Sequence, residues 1–217
     1  MSEQQLLLPL FFKPVYSEKD FVVSSCNQAA YETIRYWPIW PSNTLILYGP
    51  SGSGKTHLIH IWQHLSNAHD ITRDESLSLP EHHCMFMENI ETIKDESLLF
   101  HRYNMIVENK GFLLLTSRMH PKDLPFTLPD LRSRLLAIPA LSLGIPDEAL
   151  LKDVCIKLMS DRQLQVKPEV IDYIIARMER SFATLHKMVE RLDKQAMAKR
   201  HKITIPFVRE ALVGMID

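Results

Sequence analysis

The segment whose residue types most clearly indicate chemistry is Gly49-Pro50-Ser51-Gly52-Ser53-Gly54-Lys55-Thr56. It matches the phosphate-loop pattern G-x-x-x-x-G-K-[ST] at every defined position. Glycines allow backbone N–H groups to curl around phosphate oxygens, and a following helix adds partial positive charge. Lys55 is expected to reach the β- and γ-phosphates, and the Thr56 hydroxyl to bind Mg²⁺. The pattern predicts a site for ADP or ATP.

A phosphate loop needs a second acidic group, at the end of a nearby strand, to organise the metal ion. Glu88 directly follows a short apolar run and occupies that position. The next residue, where many ATPases keep a catalytic carboxylate, is Asn89, whose amide cannot accept a proton from water. Glu91 is either a substitute base or a solvated carboxylate in an acidic stretch. The sequence therefore favours nucleotide binding over hydrolysis.

The elements that must position these residues alternate between short apolar runs and helical patterns. Strands are predicted at 44–48, 84–87 and 112–116, and one more over 136–142. Helices are predicted over 27–36, capped by Asn27, and over 55–66 and 95–109. Only helices follow, over 147–162, 168–179, 181–199 and 205–213. This order predicts an α/β fold, a parallel sheet flanked by helices, followed by a small all-helical domain.

Composition supports an ordinary globular chain. The 217 residues are 46% apolar and 24% charged, with a net charge of −1. A net charge this close to zero argues against nucleic-acid binding through an overall positive charge. The three cysteines are widely spaced, and no signal peptide or membrane-length apolar run is apparent, so a cytoplasmic protein is expected. Residues 177–202 contain eight basic and three acidic residues, so they form either a solvated helix face or a surface that touches DNA.

Several further segments occur in a recognisable order around the phosphate loop. They are Phe21-Val22-Val23-Ser24-Ser25-Cys26-Asn27-Gln28, Met87-Glu88-Asn89-Ile90-Glu91, Leu114-Leu115-Thr116-Ser117-Arg118 and Leu128-Pro129-Asp130-Leu131-Arg132-Ser133-Arg134-Leu135. This order resembles the AAA+ module of the replication initiator DnaA. Gln5-Leu6-Leu7-Leu8-Pro9-Leu10 resembles a motif for the DNA polymerase sliding clamp. The segment 202–210 is similar to the ending of a shorter DnaA relative, the regulatory inactivator of DnaA (Hda).

The resemblance implies a regulator of replication initiation that carries a nucleotide, usually ADP. It implies three parts: a flexible segment 1–16 with the clamp motif, an AAA+ domain 17–143 and a helical lid 144–217. The chain ends after the lid, so we expect a relative without the initiator's C-terminal DNA-binding domain. Partners would be the clamp and DnaA, with DNA contacted indirectly through the clamp and no membrane; the chain could also form a homo-oligomer.

The resemblance also assigns residues. Arg134 matches the arginine finger that acts on the ATP site of DnaA, and Arg132 is its nearby rival. The resemblance implies nucleotide contacts for the phosphate loop and the adjacent His57. Outside the loop it implies contacts for three further parts of the chain: the entry segment (Phe21, Val22 and Val23), the sensor 1 segment (Thr116 and Ser117) and the sensor 2 position (Ala183). Clamp contacts fall on Gln5, Leu6, Leu8, Pro9 and Leu10.

Three departures from the family pattern concern turnover of ATP. Ala183 stands where the family has an arginine, and Arg180 lies one turn earlier. Glu88 replaces the usual aspartate, and Asn89 stands beside it. Arg118 stands where sensor 1 often has an aspartate. The stretch between Thr56 and Glu88 is shorter than in the family, which implies a second strand trimmed to a remnant at 69–72. An autonomous ATPase of the loader or remodeller type is therefore the less favoured alternative, together with an adaptor whose basic lid binds DNA. His57, His60 and His64 share one helix face, which indicates packed or solvated histidines more than metal ligands.

Overall fold

The computed structural model describes residues 16–73, 83–199 and 202–213. Within these ranges, five parallel strands form one sheet in the order β2-β3-β4-β1-β5. The strands are β1 Thr44–Tyr48, β2 His69–Asp70, β3 Cys84–Met87, β4 Phe112–Ser117 and β5 Ala140–Ser142. The predicted α/β class is confirmed, and the predicted remnant at 69–72 contains the edge strand β2.

Within the described ranges, one helix precedes the first strand, three lie between strands and four follow the last strand. The first four are α1 Gln28–Arg35, α2 Lys55–Ser66, α3 Glu96–Glu108 and α4 Pro129–Ala137. The others are α5 Glu148–Asp161, α6 Pro168–Ile175, α7 Phe182–Lys199 and α8 Ile205–Val213. No helix in these ranges is long and apolar enough to cross a membrane.

Alternate residues of the central strands pack on opposite faces of the sheet, as the two-residue period of a strand requires. Ile46 of β1 joins the apolar cluster that includes residues of α3 and α4. Leu45 and Leu47 join the cluster on the other face, with residues of α1 and α2. The C-terminal helices pack around an apolar cluster of their own. The boundaries 17–143 and 144–217 stay a prediction.

Three expectations about local structure are wrong. The side chain of Asn27 does not cap α1: its Oδ1 accepts a hydrogen bond from Ser24 N (2.9 Å) and its Nδ2 donates to the Val22 carbonyl (3.0 Å). The helix predicted over 168–179 ends at Ile175, because the backbone turns at 176–177, and α7 then packs against α5. The strand predicted over 136–142 is confined to β5, because residues 136 and 137 form the end of α4, a helix that the sequence pattern does not predict.

Candidate nucleotide-binding site

The phosphate loop joins the carboxyl end of β1 to the N-terminus of α2. Gly49 N donates to the Ser117 carbonyl of β4 (3.1 Å), so the loop begins beside the carboxyl end of β4, the central strand of the five. Gly52 has φ +72° and Gly54 has φ +101°, values that strain any residue with a side chain. The glycines therefore permit the bend that aims the amide groups of the loop inward.

Lys55, the first residue of α2, turns its side chain back over the loop. Its Nζ donates to the carbonyls of Gly49 (2.7 Å) and Pro50 (2.9 Å), and the residue is buried. Burial lowers the pKa of Lys55, while the negative charges of Glu91 and Glu88 oppose that shift. A lysine held at this point in a glycine-rich loop is placed to neutralise phosphate oxygens.

Thr56 and Glu88 come together although 32 positions separate them. Thr56 Oγ1 donates to Glu88 Oε2 at 2.6 Å, and Glu88 N in turn donates to Thr72 Oγ1 at 2.9 Å. A hydroxyl beside a carboxylate supplies the hard oxygen ligands that Mg²⁺ takes in nucleotide sites. The donor set predicted for Mg²⁺ therefore fits the ion.

Thr116 and Ser117 end β4 under the loop and are both buried. Thr116 Oγ1 accepts from Asn89 N (3.0 Å), and Ser117 Oγ accepts from Met119 N (3.1 Å). The first of these bonds joins Asn89, the residue after Glu88, to the central strand β4. Both residues lie at the edge of the sheet that carries the phosphate loop.

The entry segment contacts the site through one of its three predicted residues. The Phe21 ring stacks on Tyr31 (5.3 Å between ring centres) and meets His57 edge-on (5.2 Å). A Cβ at Gly54 would lie only 3.3 Å from this ring. Val22 offers its carbonyl to Asn27, and Val23 is 42% exposed.

The histidine face of α2 packs against the chain just before the entry segment. Tyr16 stacks on His60 (4.5 Å between ring centres), and His57 Nε2 lies 2.8 Å from the Ser17 carbonyl. Burial lowers the pKa of His57. His64 is exposed on the same helix. The sequence did not predict the contact between Tyr16 and His60. The only available signal was a weak one: an aromatic residue next to a polar run.

The start of α7 lies against the phosphate loop. A Cβ built on Gly52 would stand 2.5 Å from Ala183 N and 2.8 Å from Ala183 Cβ. Ser181 Oγ accepts from Thr184 N (3.3 Å) and caps this end of the helix. Ala183, to which the resemblance assigns the sensor 2 position, therefore lies close to the loop, and its backbone leaves no room for a side chain at Gly52.

Gly52→Ala should lower the stability of the protein by about 2 kcal/mol or more, because the left-handed backbone and the Ala183 contact both oppose a methyl group. The measurement is a denaturant midpoint followed by circular dichroism. Ser51→Ala, in the exposed neighbouring position, is the matched control and should leave the midpoint unchanged. Equal midpoints for both variants would contradict the close packing of α7 on the loop.

The two candidate finger arginines lie on α4, away from the phosphate loop in sequence. Arg132 and Arg134 are both exposed, and two positions apart on a helix they point in different directions. Within the part of the chain that the structure describes, neither guanidinium forms an ion pair. Neither arginine is therefore paired with Glu88 or Glu91 of the chain's own phosphate site.

Glu96 positions α4, and sequence reasoning missed it. Its carboxylate accepts hydrogen bonds from Thr127 N, Thr127 Oγ1 and Leu128 N at 2.6 to 3.0 Å, immediately before α4 begins. These bonds, first of all the one from Leu128 N, hold the pKa of Glu96 below its usual value. The Asp95-Glu96 pair at the start of a predicted helix was the available signal.

The fold and part of the sequence of this chain match known proteins. Residues 156–212 match the family model described as "Hda, lid domain". Domain III of the Thermotoga maritima replication initiation protein DnaA superposes with a TM-score of 0.80 at 18% identity, covering 93% of this chain and 97% of that one. The C-terminal helices thus match the lid domain of Hda in sequence, and the described part of the chain has the fold of DnaA domain III. The resemblance stated from sequence order is thereby confirmed, as is the AAA+ fold with a helical lid.

Two other structures share the fold of this chain. AMPPCP-bound DnaA from Aquifex aeolicus gives a TM-score of 0.71 at 17% identity, covering 95% of this chain and 71% of that one. A RuvB variant from Thermotoga maritima gives 0.72 at 18% identity, with coverage of 93% and 72%. Together these matches show that the chain shares the fold of the AAA+ domains of DnaA and RuvB.

Proposed function

We propose that this Hda-like protein holds ADP or ATP with Mg²⁺ in its phosphate loop and regulates replication initiation by acting on DnaA. The observation that carries the proposal is the 2.6 Å hydrogen bond from Thr56 to Glu88, which assembles the metal-binding oxygens beside the loop. In this arrangement the loop amides and Lys55 would bind phosphates, and Thr56 and Glu88 would hold the metal ion. The resting nucleotide is proposed to be ADP.

The nucleotide that accompanies the purified protein tests this proposal. The protein is denatured, and the released nucleotide is identified and counted by chromatography. Close to one ADP per chain is expected for the unmodified protein. A chain that carries no nucleotide, and that binds none when ADP and Mg²⁺ are added, would contradict the proposal.

The proposed action on DnaA uses Arg134 in trans. A guanidinium is planar and permanently charged, so it can stabilise the charge that develops during phosphoryl transfer in a partner's site. Exposure of Arg134 on α4, and the anchoring of α4 by Glu96, support this role. Because Arg132 is exposed on another face of the same helix, it serves as the internal comparison.

The proposed clamp motif, Gln5, Leu6, Leu8, Pro9 and Leu10, lies outside the described residues. In an extended peptide Leu6, Leu8 and Leu10 alternate, so they would face one side and enter an apolar groove. Pro9 restricts the backbone and lowers the entropy lost on binding. We propose that this segment attaches the protein to the DNA-loaded clamp, and so to DNA indirectly.

Replacing Leu8 and Leu10 together with alanine should abolish clamp binding while leaving ADP affinity and thermal stability unchanged. The change removes two apolar side chains, each of which contributes about 1.5 to 3 kcal/mol when fully buried. Binding is measured by surface plasmon resonance with immobilised clamp. Lys13→Ala is the control and should bind normally. Removal of the whole segment is less suitable, because Tyr16 packs on His60. Unchanged clamp binding by the double variant would contradict the assignment.

A further inference from the structure

Glu91 has a buried carboxylate to which the proposed function gives no role. Its side chain is 8% exposed, and neither of its oxygens accepts a hydrogen bond within the described residues. The nearest cation is Arg118, whose Nε lies 3.6 Å from Glu91 Oε1. Burial of a carboxylate without hydrogen bonds is costly, so such a group calls for a functional explanation.

The position of Arg118 locates this carboxylate beside the phosphate loop. Arg118 directly follows β4, the strand between β3 and β1, and the last residue of β4 bonds to Gly49 N. Arg118 also lines a cavity of about 580 Å³ together with Glu88 and Asn89. Glu91 is therefore paired with a residue that follows β4 at the end of the sheet where the phosphate loop begins.

The negative charge of Glu91 also acts on the ammonium group of Lys55. Burial lowers the pKa of Lys55, and Glu91 opposes that shift more than Glu88 does. Lys55 is the side chain expected to meet the β- and γ-phosphates. The negative charge of Glu91 therefore acts where a third phosphate would add further negative charge.

We propose that Glu91 makes this site select a nucleoside diphosphate over a triphosphate, and that Arg118 moderates the selection. A γ-phosphate adds negative charge near a buried carboxylate, where low dielectric strengthens repulsion. Arg118 offsets part of that repulsion, but its side chain is 59% exposed and water screens its charge. The inference rests on the proposed binding of nucleotide by the phosphate loop.

The test compares equilibrium dissociation constants for ADP and for the non-hydrolysable analogue AMPPCP, both with Mg²⁺, by calorimetric titration. Glu91→Gln should improve AMPPCP affinity relative to ADP by about tenfold, which corresponds to about 1.4 kcal/mol. Arg118→Ala should shift the ratio in the opposite direction, because the repulsion is then less compensated. Glu108→Gln, on the exposed end of α3, is the matched control and should leave the ratio unchanged.

The outcomes separate this inference from the proposed function. An unchanged affinity ratio in Glu91→Gln, with both nucleotides still bound, would overturn the selectivity role alone. An unchanged ratio together with loss of slow ATP hydrolysis would assign the carboxylate as a base, and so would also overturn it. Failure of the unmodified protein to bind either nucleotide would overturn both proposals. If Glu91→Gln does not fold, an unaltered ratio in the exposed Arg118→Ala variant would decide against the inference.

Discussion

Arg134→Ala is expected to abolish the stimulation of ATP hydrolysis in DnaA while leaving ADP binding and clamp binding intact. The guanidinium is exposed on α4 and forms no ion pair within the described residues, so its removal should not disturb the fold. Arginine fingers supplied in trans accelerate phosphoryl transfer by about 10³- to 10⁵-fold, because they act only on the transition state. The measurement is the decay of ATP bound to DnaA in the presence of DNA-loaded clamp.

Two matched variants make this result specific. Arg132→Ala changes the same residue type two positions away and should retain stimulation. Arg134→Lys keeps the charge but loses the planar, forked donor set, so we expect it to stimulate weakly. Loss of stimulation in Arg132→Ala with full activity in Arg134→Ala would move the finger to Arg132.

Lys55→Ala is expected to weaken ADP affinity by about 100-fold or more. The change removes the ammonium that donates to Gly49 and Pro50 and that would neutralise phosphate charge. A ligand present at 100 times its dissociation constant stabilises the folded state by about 2.7 kcal/mol, and most of that gain should disappear in the variant. Calorimetric titration and the ADP-dependent shift in melting temperature give two separate readouts.

The control for this change is Lys122→Ala, an exposed lysine in the loop after β4. It should show the same ADP affinity and the same ADP-dependent rise in melting temperature as the unmodified protein. Equal ADP affinity in Lys55→Ala and the unmodified protein would mean that nucleotide does not bind at the phosphate loop.

The strands, the phosphate loop and Glu88 could be predicted from the sequence, because each depends on residue types at a short, fixed spacing. Short apolar runs identified β1, β3 and β4 because strands buried on both faces are apolar at nearly every position. The phosphate loop was recognisable because glycine, lysine and threonine occur at fixed spacing next to β1. Glu88 was predictable from its position after β3, and the structure places it against Thr56.

Contacts between distant segments could not be predicted. The approach of Ala183 to Gly52 depends on how the C-terminal helices dock, and no local spacing encodes it. The bonds of Glu96 to Thr127 and Leu128 join two segments that the sequence treated separately. The burial of Glu91 was equally hidden, because a glutamate in an acidic stretch usually faces solvent. In each case tertiary packing, not propensity, determines the environment of the side chain.

The decisive measurement is the rate of hydrolysis of ATP bound to purified DnaA when the intact protein, ADP and DNA-loaded clamp are added together. The proposal predicts faster conversion of DnaA-bound ATP to ADP, lost when either Arg134 or the pair Leu8 and Leu10 is replaced with alanine. An unchanged rate of hydrolysis, with binding of ADP and clamp demonstrated in the same preparation, would contradict it.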